Sequence, residues 1–118
     1  MNGLHLTADL RDCNAAQPLM HDPAALRALC LQAVREAGLQ TVGELFHRFP
    51  SPGGITGVVL LAESHLAVHT WPELGAVTLD VYVCNVSADQ GGRAEALAAA
   101  LEEAFAPAVS SRQRLRRG

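Results

Sequence analysis

The chain contains no lysine: all nine of its Lys-plus-Arg positions are arginine. That closes the common route to amine chemistry, because enzymes that use pyridoxal phosphate hold it as a Schiff base on a lysine. Aromatic residues are scarce, at 4%, so the core must be built from modest aliphatic side chains and would gain from burying surface against a second copy. Cys13, Cys30 and Cys84 are an odd number of cysteines without CxxC spacing, which argues against a disulfide framework or a zinc knuckle. No stretch approaches the length needed to cross a bilayer, and Met1–Leu10 lacks the basic start and apolar run of a secretory segment. The expectation is a cytoplasmic protein with reduced thiols and no membrane contact. A net charge of −3 gives no reason to expect nucleic acid as a partner.

What is present suits one domain spanning 1–118. At 118 residues, 49% hydrophobic and 18% charged, the chain can form a single packed core and is too short for two. Leu4, Leu6, Ala8 and Leu10 alternate with polar residues, the period of a half-buried strand. Asp22-Pro23 is a helix cap followed by proline at the first helical position. Leu26, Leu29, Cys30, Ala33, Val34 and Ala37 then form an apolar stripe that Gly38 is placed to end. Residues 41–49, 55–61 and 66–70 read as strands, with a Pro-Ser-Pro-Gly-Gly turn at 50–54. Val77, Leu79, Val81 and Val83 alternate through a further strand, and 93–105 is a second amphipathic helix. Residues 107–118, with Arg112, Arg114, Arg116 and Arg117, read as a flexible basic tail. Two helices can cover only one face of such a sheet. The predicted fold is α+β, a two-layer sandwich of an antiparallel sheet with two helices on one face. The other face pairs with a second copy to give a four-layer αββα homodimer.

The segment Glu63-Ser64-His65-Leu66-Ala67-Val68-His69-Thr70-Trp71-Pro72-Glu73 concentrates the reactive groups. A serine after Glu63 can attack the Glu63 carbonyl carbon if the backbone is strained, turning the amide into an ester. Removal of the Ser64 α-proton then expels the Glu63 carboxylate and, after loss of ammonia, leaves a ketone at a new amino terminus. On strand alternation, His69 lies opposite Leu66 and Val68, and Cys84 lies opposite Val77, Leu79, Val81 and Val83. If the aliphatic sets face the helices, His69 and Cys84 share the other sheet face.

This run, read with Cys84, resembles the self-cleavage segment of the prokaryotic S-adenosylmethionine decarboxylases, and the likeness extends from Leu4 to about Phe105. The resemblance implies that Ser64 becomes a pyruvoyl group and that cleavage after Glu63 yields a 1–63 beta chain and a 64–118 alpha chain. It implies that His69 accepts a proton in processing, with Thr56 supporting it where relatives usually carry serine, and that Cys84 is the proton donor in catalysis. Glu73 is expected near the substrate's ribose hydroxyls, and Phe49 is expected to stack on adenine. No pyridoxal phosphate and no metal are implied. The activity implied is decarboxylation of S-adenosylmethionine to the aminopropyl donor for spermidine, within polyamine biosynthesis.

Other readings exist for the same residues. His65 and His69 in an extended strand would lie roughly 13 Å apart, too far to share a metal ion, and no G-x-S-x-G elbow surrounds Ser64. The pattern departs from the family at Leu74, where tyrosine is common, and at Asn85, where glycine is usual. The same chemistry on ornithine or arginine therefore stays open, as does an unprocessed, non-catalytic homologue. His5, His21 and His47 read as structural or solvent-exposed, and Cys30 as core.

Overall fold

Alternation of aliphatic and polar residues gives this chain its sheet. In the computed structural model, which describes residues 2–85 and 90–118, β1 (Gly3–Arg11) buries Leu4, Leu6, Ala8 and Leu10 and leaves His5 and Thr7 half-buried on the other side. α1 (Pro23–Glu36) starts where Asp22 accepts a hydrogen bond from the Ala24 N–H, and Gly38 follows it at a positive φ. β2 (Thr41–Arg48), β3 (Ile55–Leu61), β4 (Ser64–Trp71) and β5 (Ala76–Cys84) come next. α2 (Gly91–Phe105) and β6 (Val109–Arg117) complete the order, and short 3₁₀ turns lie at Pro18–Met20 and Pro72–Leu74.

The six strands form one antiparallel sheet in the order β2-β3-β4-β5-β1-β6. α1 lies over β2 and β3, and α2 over β1 and β5. Between helices and sheet, Leu26, Cys30 and Val34 of α1 and Leu97, Leu101 and Phe105 of α2 meet Leu66, Val68, Val81 and their neighbours, all essentially inaccessible. Each such side chain contributes about 1.5–3 kcal/mol of burial. The architecture is the expected two-layer α+β sandwich.

Residues 109–117 correct the expectation of a flexible tail. They pair with β1 along its whole length, from Gly3↔Arg117 to Arg11↔Val109. Arg112 forms an ion pair with Glu102 at 2.9 Å, and Arg114 pairs with Glu95, so the strand is also tied to α2. Every β6 residue is exposed, which is why no hydrophobic period announces it; backbone pairing and charge hold it instead.

Thr70 is the buried polar residue that fixes the central hairpin. Its hydroxyl accepts from the Ile55 N–H at 2.9 Å and donates to the Met20 carbonyl at 2.7 Å, joining β3, β4 and the loop before α1. Gly75 closes the Trp71–Gly75 turn in a left-handed conformation with φ of 59°. A side chain there would also crowd the Cys13 carbonyl, so glycine suits both demands.

Candidate active site

β3 and β4 are joined by the tight turn Ala62–Glu63, with Leu61 opposite Ser64 across the hairpin. Glu63 has a φ of 59°, the left-handed region that costs an ordinary L-residue about 1–2 kcal/mol. The carbonyl that Ser64 would attack thus belongs to a residue in a disfavoured conformation. The Ser64 hydroxyl oxygen accepts a hydrogen bond from the backbone N–H of Cys84 at 3.3 Å. That contact docks the serine against the end of β5 and places the Cys84 residue beside it.

A second cluster occupies the other end of the hairpin. Thr56 and His69 are cross-strand partners, and Thr56 Oγ1 lies 3.1 Å from His69 Nδ1. The His69 ring stacks on Trp71, with centroids 5.7 Å apart and planes at 29°. Phe49, Thr56, His69, Trp71 and Glu73 line one cleft of about 270 Å³. Phe49 is held there by its backbone bond to Gly54 and by an edge-on contact with the His47 ring at 4.6 Å.

The expected residues therefore fall into two groups. Alternation places His69 and Cys84 on the open face of the sheet, since Leu66, Val68, Val81 and Val83 are buried under the helices. They are not neighbours. His69 is five positions beyond Ser64 on β4, roughly 16 Å at the usual strand rise. It faces Thr78 of β5, whose distance to Cys84 along the strand is roughly 20 Å. Ser64, Glu63 and Cys84 form one group; Phe49, Thr56, His69 and Glu73 form the other.

Trp71 and Asp80, near these groups, carried no separate expectation. Trp71 shares the His69 face two positions on, a relationship readable from alternation alone. His5 and His65 both reach Asp80 Oδ1 through Nε2, at 2.7 and 3.3 Å. These three residues come from three strands and could not be associated without the register. Cys30 behaves as a core residue, with burial pushing its thiol up to about 12. Cys13 is raised as well, by burial first and the Asp12 carboxylate second. Among the described residues, no group of three or more His, Cys, Asp or Glu is arranged to hold a metal ion.

The residues around Ser64 fit the pyruvoyl group that the resemblance implies. A serine follows a left-handed, non-glycine residue, its oxygen is oriented by a backbone donor, and a thiol-bearing residue supplies that donor.

The family model for S-adenosylmethionine decarboxylase matches residues 4–118. The chain is 35% identical over 116 residues to the S-adenosylmethionine decarboxylase proenzyme of Thermodesulfovibrio yellowstonii, covering 98% of this chain and 81% of that one. The proenzymes of Acetivibrio thermocellus and Prochlorococcus marinus are 40% and 44% identical over 83 and 85 residues. Those alignments cover 70% and 72% of this chain but 64% and 66% of the relatives, just under two thirds of their length. Among solved structures, the adenosylmethionine decarboxylase of Aquifex aeolicus superposes with a TM-score of 0.87 at 35% identity, covering 98% of this chain and 90% of that one. The Trypanosoma brucei AdoMetDC-delta26 monomer shares the fold at a TM-score of 0.54 and 16% identity, over 94% of this chain and 44% of that one. The two-layer fold, the Ser64 hairpin and a family match along nearly the whole chain lead to one assignment: this chain belongs to the S-adenosylmethionine decarboxylase family.

Proposed function

We propose that this protein is a self-processing, pyruvoyl-dependent decarboxylase of S-adenosylmethionine that works as a homodimer and supplies the aminopropyl donor for polyamine synthesis. The observation that carries the reading is the Ser64 hairpin, with its left-handed Glu63 and the bond from the Cys84 N–H to Ser64 Oγ. Three free cysteines suit the reducing cytoplasm. Among the described residues, no helix is long and apolar enough to cross a membrane.

Processing begins when Ser64 Oγ attacks the Glu63 carbonyl carbon and the peptide C–N bond breaks, giving an ester and a free amine on residue 64. A base removes the Ser64 α-proton, the Glu63 carboxylate leaves, and residue 64 becomes dehydroalanine. Tautomerisation and hydrolysis by one water release ammonia and leave the ketone, splitting the chain into 1–63 and 64–118. His69 suits the base. In the tautomer whose Nδ1–H donates to Thr56 Oγ1, a contact of 3.1 Å, Nε2 keeps a free lone pair.

Within one chain this base lies roughly 16 Å from Ser64 by strand rise. The open face offers a way to close that gap. A second copy laid on it about a two-fold axis near the Ala67–Asp80 pair brings position 69 of one sheet opposite position 65 of the other, one residue from Ser64. Exposed Leu45, Leu60 and Leu115 on that face favour such burial. Each complete site then combines Ser64 and Cys84 with the cleft of the partner subunit.

In that site the pyruvoyl group, once formed, supplies the electron-accepting ketone for loss of carbon dioxide from an α-amino acid. Phe49 offers a ring to the adenine and to the sulfonium charge, and the Glu73 carboxylate accepts from the ribose hydroxyls. Cys84 Sγ holds the proton delivered to the substrate carbon.

Intact mass together with carbon dioxide release from S-adenosylmethionine, ornithine and arginine tests the reading. Two fragments split after residue 63 and turnover of S-adenosylmethionine alone are expected. Ser64→Ala should stay one chain, whereas Cys84→Ala should split yet lose turnover. A wild-type protein that remains 118 residues long ends the proposal.

A further inference from the structure

A chain of polar contacts crosses the open face of the sheet from its C-terminal strand to the residue after Ser64. Arg117 Nη1 lies 3.3 Å from His5 Nδ1, and the Arg117 guanidinium stands 5.7 Å from the centre of the Tyr82 ring. A guanidinium only donates, so His5 Nδ1 accepts and the ring proton sits on Nε2. That N–H donates to Asp80 Oδ1 at 2.7 Å. The same oxygen receives His65 Nε2 at 3.3 Å, while the His65 ring stacks on Tyr82 with centroids 5.7 Å apart and planes at 30°. Four strands, β6, β1, β5 and β4, are thus linked to one side chain.

The position of that side chain gives the linkage its meaning. Before cleavage, residue 64 is held by the hairpin from Glu63. After cleavage it is the first residue of a separate chain, and strand ends fray when covalent restraint is lost. Residue 65 is then the first whose side chain can restrain the new terminus. Its partners lie on β5 and do not belong to the hairpin, so they survive the cut. Resting on the self-processing reading above, we propose that His65, clamped by Asp80 and Tyr82, is a positioning residue that holds the freed amino terminus of the 64–118 chain in the active site.

The test compares Asp80→Ala with Asp80→Asn, whose amide oxygen still accepts from both imidazoles. His65→Phe, which keeps the ring but not the bond, is a second probe should Asp80→Ala fail to fold. Asp80→Ala is expected to cleave fully by intact mass. In the cleaved protein, amide hydrogen exchange over residues 65–68 should rise about tenfold. kcat should drop on the order of tenfold while KM moves less than about twofold, because misplacement of the reacting end affects the chemical step. Asp80→Asn should recover most of both readouts, and His65→Phe should behave like Asp80→Ala. Wild-type exchange at 65–68 in a cleaved Asp80→Ala protein overturns the assignment. So does a folded Asp80→Ala protein that stays uncleaved, since the clamp would then act on the precursor hairpin. Both results stay distinct from failure of the decarboxylase reading, in which the wild-type chain itself never splits.

Discussion

Thr56 Oγ1 sits 3.1 Å from Nδ1 of its cross-strand partner His69, so a threonine hydroxyl holds the imidazole in place. Deleting the hydroxyl at constant shape should free the ring to turn away from its place in the cleft. Thr56→Val is expected to slow self-cleavage by roughly tenfold, a fraction of the full effect of a general base, while Thr56→Ser keeps the wild-type rate. A time course of fragment appearance on denaturing gels measures both. Equal rates for valine and serine would leave the Thr56 hydroxyl without a role in processing.

Glu63 occupies the left-handed region with φ of 59°. Glycine adopts that conformation freely, so Glu63→Gly should relax the residue whose carbonyl Ser64 attacks. Cleavage is expected to slow several-fold. In a Ser64→Ala background, where no cleavage intervenes, the same substitution should stabilise the fold by about 0.5–1 kcal/mol, strain relief less the added chain entropy. Denaturant midpoints read the second effect and mass spectrometry the first. Faster cleavage in Glu63→Gly would mean that the strain does not promote the acyl shift.

The Thr70 hydroxyl satisfies a buried N–H and a buried carbonyl at once. Thr70→Val preserves shape and strands both partners, so a loss of about 2–4 kcal/mol is expected. Urea unfolding of the uncleavable precursor gives the number. Thr70→Ser, which keeps the hydroxyl, should lose far less.

Burial holds the Cys30 thiol up to about 12 against an ordinary 9.0. The folded state therefore keeps this proton while the unfolded chain releases it. The stability linked to Cys30 is complete below pH 9 and falls as pH rises from 9 towards 12, by up to about 1.4 kcal/mol per pH unit. Cys30→Ala is expected to be less stable at neutral pH, through the lost packing, yet to show a shallower decline across that window. Parallel declines for the two proteins would point to other titrating groups.

Much of the fold was legible because short-range rules govern it. The Asp22-Pro23 start, Gly38 and the alternation in β1 and β5 each follow from local geometry, and each stands where it was expected. The sharing of one sheet face by His69 and Cys84 was equally legible, since a period of two needs no knowledge of pairing. β6 was not legible. Arg112, Arg114 and Arg116 face the helix side of an exposed edge strand, where no burial imposes a hydrophobic period.

The order of reactive groups, the parity of every strand residue and the exclusion of lysine chemistry follow from the one-dimensional chain, because covalent sequence and the two-residue strand repeat dictate them. Tertiary structure alone determined the grouping: strand register sets Ser64 beside Cys84, sets His69 beside Thr56 and the Phe49 cleft, and keeps the two sets at opposite ends of the sheet. It also carried His5, Asp80 and His65 to one point. Residues that distant in sequence meet only once antiparallel pairing has chosen which position faces which, and that choice is made by the packing of the whole sheet against its helices.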